Sequence, residues 1–401
     1  MADIKQKVLI VGGGFGGVKA AHVLAKDGRF DVTLISTDDE LRYYPTLYLT
    51  ATGGSRSNSS IPYSTIFEGL KLDLVKDEVV SLDRRAKTVS TTSGSTYGYD
   101  SLILAMGVVT NYFGIPGLQE LSFSIKTQEE VARFKQHLHK QLDEDKKPDL
   151  NYVIVGAGPT GIELAGALPA YLKSIMRNHE IAERKIHIDL IEAGPKLLPM
   201  MPKSTSVRVE KQLKTLGVKL YLNSKVEGED VNGLTVSGKP IKSHTVIWTA
   251  GVTNNPFFSS NGFAIMGRGK VGVDAYLQAE LGIYVIGDNA NTPFSGLAQT
   301  ALYDGEFVAE NLIRKVEDKD PKNYNPKKPI SVIPSGPHWA AVVWGRKHFN
   351  GYLGYLVREA ADLAGFHDLE PWPKATKQFF SKFSHQDNCE VCSLAMSKYQ
   401  A

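Results

Sequence analysis

Two stretches of this 401-residue chain repeat one strand-turn-helix pattern: Gly12-x-Gly14-x-x-Gly17 after Val8-Leu9-Ile10-Val11, and Gly156-x-Gly158-x-x-Gly161 after Val153-Ile154-Val155. In such a unit a buried apolar strand turns sharply on its first glycine. The second glycine admits a pyrophosphate to the backbone, and the third lets the following helix pack close. The phosphates rest on a helix N-terminus, where unpaired N–H groups favour negative charge. One such pattern arises easily in a chain with 37 glycines, so the alignment of the two copies carries more weight than either copy. An offset of 144 positions (156 minus 12) lays Ile10, Val11, Gly12, Gly14, Gly17, Ala21 and Leu24 on Ile154, Val155, Gly156, Gly158, Gly161, Ala165 and Leu168. A whole strand-turn-helix unit is repeated, which predicts an α/β protein with two Rossmann-like dinucleotide-binding domains. Phe15 and Gly16 belong to the first phosphate turn, and Pro159 and Thr160 to the second.

The length suits two domains with some chain to spare. A net charge of +3, from 46 basic and 43 acidic residues, leaves no electrostatic footprint for nucleic acid. The two cysteines, Cys389 and Cys392, are too few for a disulfide framework and fit a reducing compartment. The N-terminus runs almost directly into a strand, without the apolar region and cleavage site of a signal peptide. No stretch approaches the roughly 20 apolar residues that span a bilayer. Any membrane association is therefore expected at the surface.

Along the chain, residues 8–35 read as strand, turn, helix and strand, and Ser101-Leu-Ile-Leu-Ala105 as a further buried strand. A loop with Gly114, Pro116 and Gly117 looks like a crossover between domains. A polar helix from Thr127 to Asp145 leads to the second unit, with its helix from Thr160 to about Asn178, its return strand at Ile186 to Ile191, and the strand Val246 to Trp248 closing at Gly251. Gly272-Val273-Asp274 and Ile283 to Asp288 look like a return to the first domain, and an aromatic-rich module follows Pro326. The economical arrangement inserts one nucleotide domain in the other: residues 1–112 and 269–326 for the first, 113–268 for the second, and 327–401 as a C-terminal module.

The second fingerprint continues Gly156-Ala-Gly158-Pro159-Thr160-Gly161-Ile162-Glu163-Leu164-Ala165-Gly166-Ala167-Leu168. This resembles the "GGGPTGVELAGAL" stretch of type II NADH dehydrogenases, the single-chain, non-pumping NADH:quinone oxidoreductases. Thr110 to Gly117, Leu190 to Pro199, Val246 to Val252 and Val285 to Asp288 are similar to further motifs of that family in the same order, covering residues 8–310. The resemblance implies that the first fold binds FAD and the second NADH, with hydride passing to the flavin and two electrons onward to a quinone. The protein's part in such chemistry is binding and orientation.

Several site residues follow from that resemblance. Val79 matches the position that meets the adenine through its backbone, and Gly107 closes an "ATG" turn that here reads Ala105-Met106-Gly107. Asp288 matches the carboxylate that bonds the ribityl or pyrophosphate region, the plain alternative being a turn aspartate after glycine. An acidic residue usually ends the second strand of the FAD fold, but here Ser36 does, with one hydroxyl. In the second fold Glu192 stands where a carboxylate takes both ribose hydroxyls and repels a 2′-phosphate, which favours NADH over NADPH; a solvated strand end is the alternative. Glu163 implies proton handling on the quinone side. The helix dipole alone favours an acid there, yet the first copy carries Lys19 at the equivalent place. Ala298-Gln299-Thr300-Ala301-Leu302-Tyr303 is similar to the "AQxAxQ" segment of the flavin and quinone site, with Tyr303 in place of the second glutamine.

Disulfide reductases of this superfamily need a cysteine pair after the first fingerprint, and sulfide:quinone oxidoreductases need cysteines in the body of the chain; both are missing. The remaining alternatives are a soluble NADH-dependent flavin oxidase or reductase serving oxygen or a small carrier, and an FAD-binding redox-signalling protein. Cys389-x-x-Cys392 has the spacing of ordinary tail thiols, a redox pair or half a zinc site, and no metal is expected from the chain as a whole. Residues 371–383 place Trp372, Phe379, Phe380 and Phe383 on one helical face, and Lys374, Lys377 and Lys382 give the segment a local charge of +3 with no acid. That face suits an anionic membrane surface, which would put the protein on the cytoplasmic side of a membrane, or a homodimer or core contact in a soluble cytoplasmic protein.

Overall fold

The computed structural model describes residues 5–143, 151–182 and 184–382. Phe383, Cys389 and Cys392, singled out above, lie outside the described residues. The chain divides into two compact units: Met1–Arg42, Ser60–Val109 and Val252–Pro329 form one, and Tyr43–Ser59, Thr110–Gly251 and Ile330–Ala401 the other.

In the first unit a six-stranded sheet runs in the order Gln278–Glu280, Ile283–Val285, Ser101–Leu104, Gln6–Val11, Phe30–Ser36, Asp73–Lys76. All neighbours are parallel except the first pair. The central strand Gln6–Val11 is paired on both sides, with Val8 opposite Val32 and Ser101. Burial on both faces explains its unbroken apolar run: Val8, Leu9, Ile10 and Val11 are at most 3% exposed. The helices Phe15–Leu24 and Ala298–Val316 pack so closely that a Cβ on Gly305 would stand 2.1 Å from the Gly16 carbonyl oxygen. Gly305 therefore serves helix packing against the backbone of Gly16.

The second unit carries a parallel sheet in the order Val218–Tyr221, His187–Ile191, Asn151–Val155, Thr245–Trp248. The helix Pro159–Asn178 continues through Pro169, which cannot donate to the turn before it. Burial of Leu164, Leu168, Leu172 and Ile175, all inaccessible, outweighs that interruption. The aromatic-rich C-terminal stretch forms an antiparallel sheet, Ser331–Pro334, Ala340–Trp344 and Lys347–Gly351, followed by the helices Tyr352–His367 and Trp372–Ser381. Gly166 meets this module: a Cβ there would lie 2.4 Å from the Gly336 nitrogen. Tyr43 is buried in the same unit, its ring stacked on Phe366 at 4.4 Å.

Candidate functional site

The two glycine turns are geometric duplicates. Gly12 and Gly156 both have φ of +106°, a conformation closed to residues with a Cβ. A Cβ on Gly12 would meet the Ala105 carbonyl oxygen at 2.2 Å, and one on Gly156 would meet Ala250 Cα at 2.5 Å. The third glycines repeat the match: Cβ atoms on Gly17 and Gly161 would each stand 1.9 Å from the carbonyl oxygen of the first glycine of their own turn. The middle glycines face open space, with no atom within 4 Å of a Cβ built on Gly14 or Gly158. Neither Gly14 nor Gly158 caps its helix through a side chain. Pro159 at the first turn gives up an N–H that would be unpaired anyway, and Pro159 and Thr160 are exposed. Each turn thus leaves a backbone cradle at a helix N-terminus without a side-chain cap, which fits a pyrophosphate.

In the first unit, Ser36 ends the second strand, buried, with Oγ 3.1 Å from the Tyr63 hydroxyl. Val79 is buried and paired with Thr91. The Ala105 N–H donates to Val11 O at 2.8 Å, carrying the chain past the cradle. Gly107 is gripped at both ends by Asn289: its N–H donates to Oδ1 at 2.9 Å, and Nδ2 donates to its carbonyl at 2.6 Å. Asn289 is fully buried and also donates to Asn254 Oδ1. Asp288 lies in the turn Gly287–Asn289, where its carbonyl accepts from Lys270 Nζ at 3.0 Å. Asp304 braces that turn from below by accepting from the Gly287 N–H at 3.0 Å and from the Tyr324 hydroxyl at 2.6 Å. Burial pushes the Asp304 carboxyl up to about 6, against those two hydrogen bonds. Ala298 opens the helix Ala298–Val316 without a side-chain cap, and Gln299 is exposed in its first turn. Tyr303, one turn on, donates its hydroxyl to the Asn325 carbonyl at 3.0 Å, with Lys327 Nζ 4.0 Å from its ring centre.

In the second unit, the Glu192 carboxylate accepts from the Ala157 N–H at 2.9 Å and from the Gly194 N–H at 2.7 Å. It is therefore fastened beside the phosphate turn. Thr249 Oγ1 spans the carbonyls of Val155 and Gly156 at 2.9 and 3.0 Å. Gly251 is required by an aromatic neighbour, since a Cβ would come within 2.5 Å of the Phe113 ring. Glu163 points into a buried charge cluster, with Oε1 3.6 Å from Arg358 Nη1. Arg358 also pairs with Asp362 at 2.9 Å and donates to the carbonyls of Val332 and Pro45. Burial pushes the Glu163 carboxyl up to about 8, although the Arg358 charge works the other way.

The sequence-predicted residues fall into these two clusters: Gly12, Gly14, Phe15, Gly16, Gly17, Ser36, Val79, Ala105, Gly107, Asp288, Ala298, Gln299 and Tyr303 in the first unit, and Gly156, Gly158, Pro159, Thr160, Gly161, Glu163, Glu192 and Gly251 in the second. Tyr63, Asn289, Asp304 and Arg358 were not legible from motifs. Only the adjacency of Asn289 to Asp288 gave any signal.

A chain with two such cradles, each on a parallel sheet, is a two-dinucleotide α/β protein of the oxidoreductase class. Residues 6–305 match the pyridine nucleotide-disulphide oxidoreductase family, and the chain belongs to it. It is 27% identical over 372 residues to a type II NADH:quinone oxidoreductase of Staphylococcus saprophyticus, covering 86% of this chain and 92% of the relative. It is 27% identical over 402 residues to the type II NADH:quinone oxidoreductase NdhA of Mycobacterium tuberculosis, covering 91% and 85%. The fold matches that of NDH2 from Plasmodium falciparum, solved in complex with NADH, with a TM-score of 0.83 at 18% identity over 94% of this chain and 97% of the other. Despite the family's description, this chain's two cysteines lie in the tail.

Proposed function

We propose that the protein is an NADH:quinone oxidoreductase of the non-pumping type II kind, with FAD in the first cradle and NADH in the second. The observation that carries this reading is the duplicated cradle together with the fastened carboxylate of Glu192 in only the second copy. A carboxylate suits the ribose diol of NADH, and Ser36 stands at the corresponding strand end of the first. The names of the two bacterial relatives, each covered over most of its length, support a quinone as acceptor. Bound FAD supplies the hydride acceptance and the two-electron return. The chain holds the two dinucleotides by their phosphates, fixes the Gly107 turn through Asn289, and keeps a proton on Glu163 near neutral pH. Glu163 is proposed as the acceptor-side proton carrier, with Gln299 and Tyr303, four residues apart on one helix, as further acceptor-side groups.

The same reading places the protein on a membrane surface. Among the described residues no helix is long and apolar enough to cross a membrane. The helix Trp372–Ser381 exposes Trp372 at 54% and Phe380 at 61% beside Lys374 and Lys377, and the helix before it exposes Tyr352 and Leu353. Exposed aromatic side chains beside cations suit the lipid interface. The function is tested with purified protein by measuring flavin content and steady-state turnover with NADH and a soluble quinone, beside turnover with oxygen alone. Bound FAD and quinone-dependent turnover well above the oxygen rate are expected. Equal rates with and without quinone would favour the soluble flavin oxidase, and protein that takes up no FAD would overturn the reading.

A further inference from the structure

The first cradle lacks a carboxylate at the strand end itself, although Asp38, Asp39 and Glu40, which follow, line the same cavity. Asp38 is directed to Arg42, 2.9 Å away, and Asp39 to Lys76, 3.3 Å away. What stands at the strand end is a pair of hydroxyls. Tyr63 comes from a separate part of the unit, the short helix Tyr63–Ile66, and is 3% exposed. Its hydroxyl donates to the Gly13 carbonyl at 2.8 Å and lies 3.1 Å from Ser36 Oγ. It fills the space beside the phosphate turn so fully that a Cβ on Gly13 would stand 1.7 Å from the phenolic oxygen. Ser36 and Tyr63 also line a cavity of about 430 Å³ shared with Asp38, Asp39, Glu40, Leu74 and Lys76.

We infer that Ser36, held by Tyr63, is the strand-end ribose-reading element of the first cradle, taking the adenosine diol of FAD where a strand-end carboxylate would otherwise stand. The Tyr63 proton is committed to Gly13, so the phenolic oxygen presents only acceptor capacity toward Ser36. Ser36 Oγ can then donate to Tyr63 and accept from a ribose hydroxyl, or accept and donate to the diol directly. Tyr63 is a positioning residue here: it fixes both the serine hydroxyl and the backbone of the turn. This inference rests on FAD occupying the first cradle.

The test titrates flavin-free full-length protein with FAD and with an FAD analogue carrying 2′,3′-dideoxyadenosine, followed by flavin fluorescence. The unaltered protein should bind the analogue about tenfold more weakly, the usual scale for a lost hydrogen bond at a site built to receive it. Tyr63→Phe should bind FAD about tenfold more weakly and lose little more on the analogue, because the two changes remove one shared interaction. Ser36→Ala, which is smaller and leaves Tyr63 bonded to Gly13, should behave the same way if Tyr63→Phe folds poorly. Equal affinity of the unaltered protein for FAD and the analogue would overturn the inference while leaving FAD in place. Equal further losses on the analogue in both variants would also overturn it, showing a merely structural role. An unaltered protein that binds neither flavin would instead overturn the FAD reading and the inference with it.

Discussion

Glu163→Gln exchanges a carboxyl for a neutral group of nearly the same shape inside the charge cluster, so it separates the charge of that side chain from its volume. The wild-type carboxyl is pushed from 4.5 to about 8 by burial, against the pull of Arg358 at 3.6 Å. The folded protein therefore holds a proton there that the unfolded chain has already released at neutral pH. Below 4.5 both states are protonated and the site costs nothing. Between 4.5 and about 8 stability falls as pH rises, because the unfolded state binds fewer protons; above about 8 the loss is complete. The slope is about 1.4 kcal/mol per pH unit, so the two units from pH 6 to pH 8 weaken the wild type by roughly 3 kcal/mol at this site. The side chain is 12% exposed, so water takes some part and roughly 2–3 kcal/mol is the working figure.

Glutamine does not titrate, and the variant should lack this slope. Urea unfolding of wild type and Glu163→Gln, at matched FAD and at pH 6 and pH 9, reads the difference directly, since groups elsewhere titrate alike in both proteins. The stability difference should move by roughly 2–3 kcal/mol in favour of the variant between the two conditions. Parallel pH dependences would refute the argument, because they would mean that Glu163 is ionised in the folded protein across the whole range. On the functional side, rapid mixing should show slower reoxidation by a soluble quinone with near-normal reduction by NADH.

Glu192→Ser with Ala193→Arg should shift the ratio of catalytic efficiencies toward NADPH, since it removes the ribose acceptor and adds a phosphate partner; an unchanged ratio would show that Glu192 does not read the ribose. The same change frees the Ala157 and Gly194 N–H groups, so some loss of NADH affinity should accompany it. Asn289→Ala removes the grip on Gly107 in a fully buried position and should cost about 2–4 kcal/mol, with faster FAD loss on dilution, measured by urea unfolding and released-flavin fluorescence. Tyr303→Phe removes one hydrogen bond to Asn325 and should cost about 1 kcal/mol in unfolding. A several-fold rise in the apparent KM for quinone in this variant would support an acceptor-side role for the phenol, and an unchanged KM would confine it to holding that carbonyl.

The fold was legible where local chemistry fixes it. A glycine that must turn at φ of +106° and a second that must lie open leave a readable spacing, and Glu192 follows at the end of the next strand. The long helix Pro159–Asn178 was readable because its apolar positions recur at helical spacing, Pro169 notwithstanding. The supporting residues were not readable, because they arrive from distant chain. Tyr63 reaches Gly13 across 50 positions, Asn289 reaches Gly107 across 182, and Arg358 reaches Pro45 across 313. Nothing local to any of them marks the partner. The segment Tyr43-Tyr44-Pro45 follows the first nucleotide-binding strands in sequence, yet it is grouped with the second unit, where Tyr43 stacks on Phe366.

The buried cluster also decides how the membrane surface must be tested. Lys382 pairs with Asp362 at 3.2 Å and with Glu359, and Arg358 pairs with Asp362 and faces Glu163. Two cations and three carboxyls are balanced only when one carboxyl keeps its proton, and the raised Glu163 is the one placed to do so. Deleting the chain from Pro371 onward would take Lys382 away and leave Glu359 and Asp362 short of a cation in a region where both Lys382 and Asp362 are 5% exposed. Breaking a buried pair in that way costs about 3–5 kcal/mol. It would also remove the contacts of Gln378 and Ser381 to Ser57 and Asn58. A truncated protein is therefore expected to be unstable whether or not it meets lipid. Trp372→Ser with Phe380→Ser touches two exposed rings and leaves the charge cluster whole. It should keep flavin content and NADH-to-dye activity while reducing co-sedimentation with anionic liposomes several-fold, since each exposed aromatic side chain buried in lipid contributes about 1.5–3 kcal/mol. Equal sedimentation of the double variant and the wild type would remove this helix as a lipid contact, and loss of self-association in the variant would assign the face to a second copy of the chain.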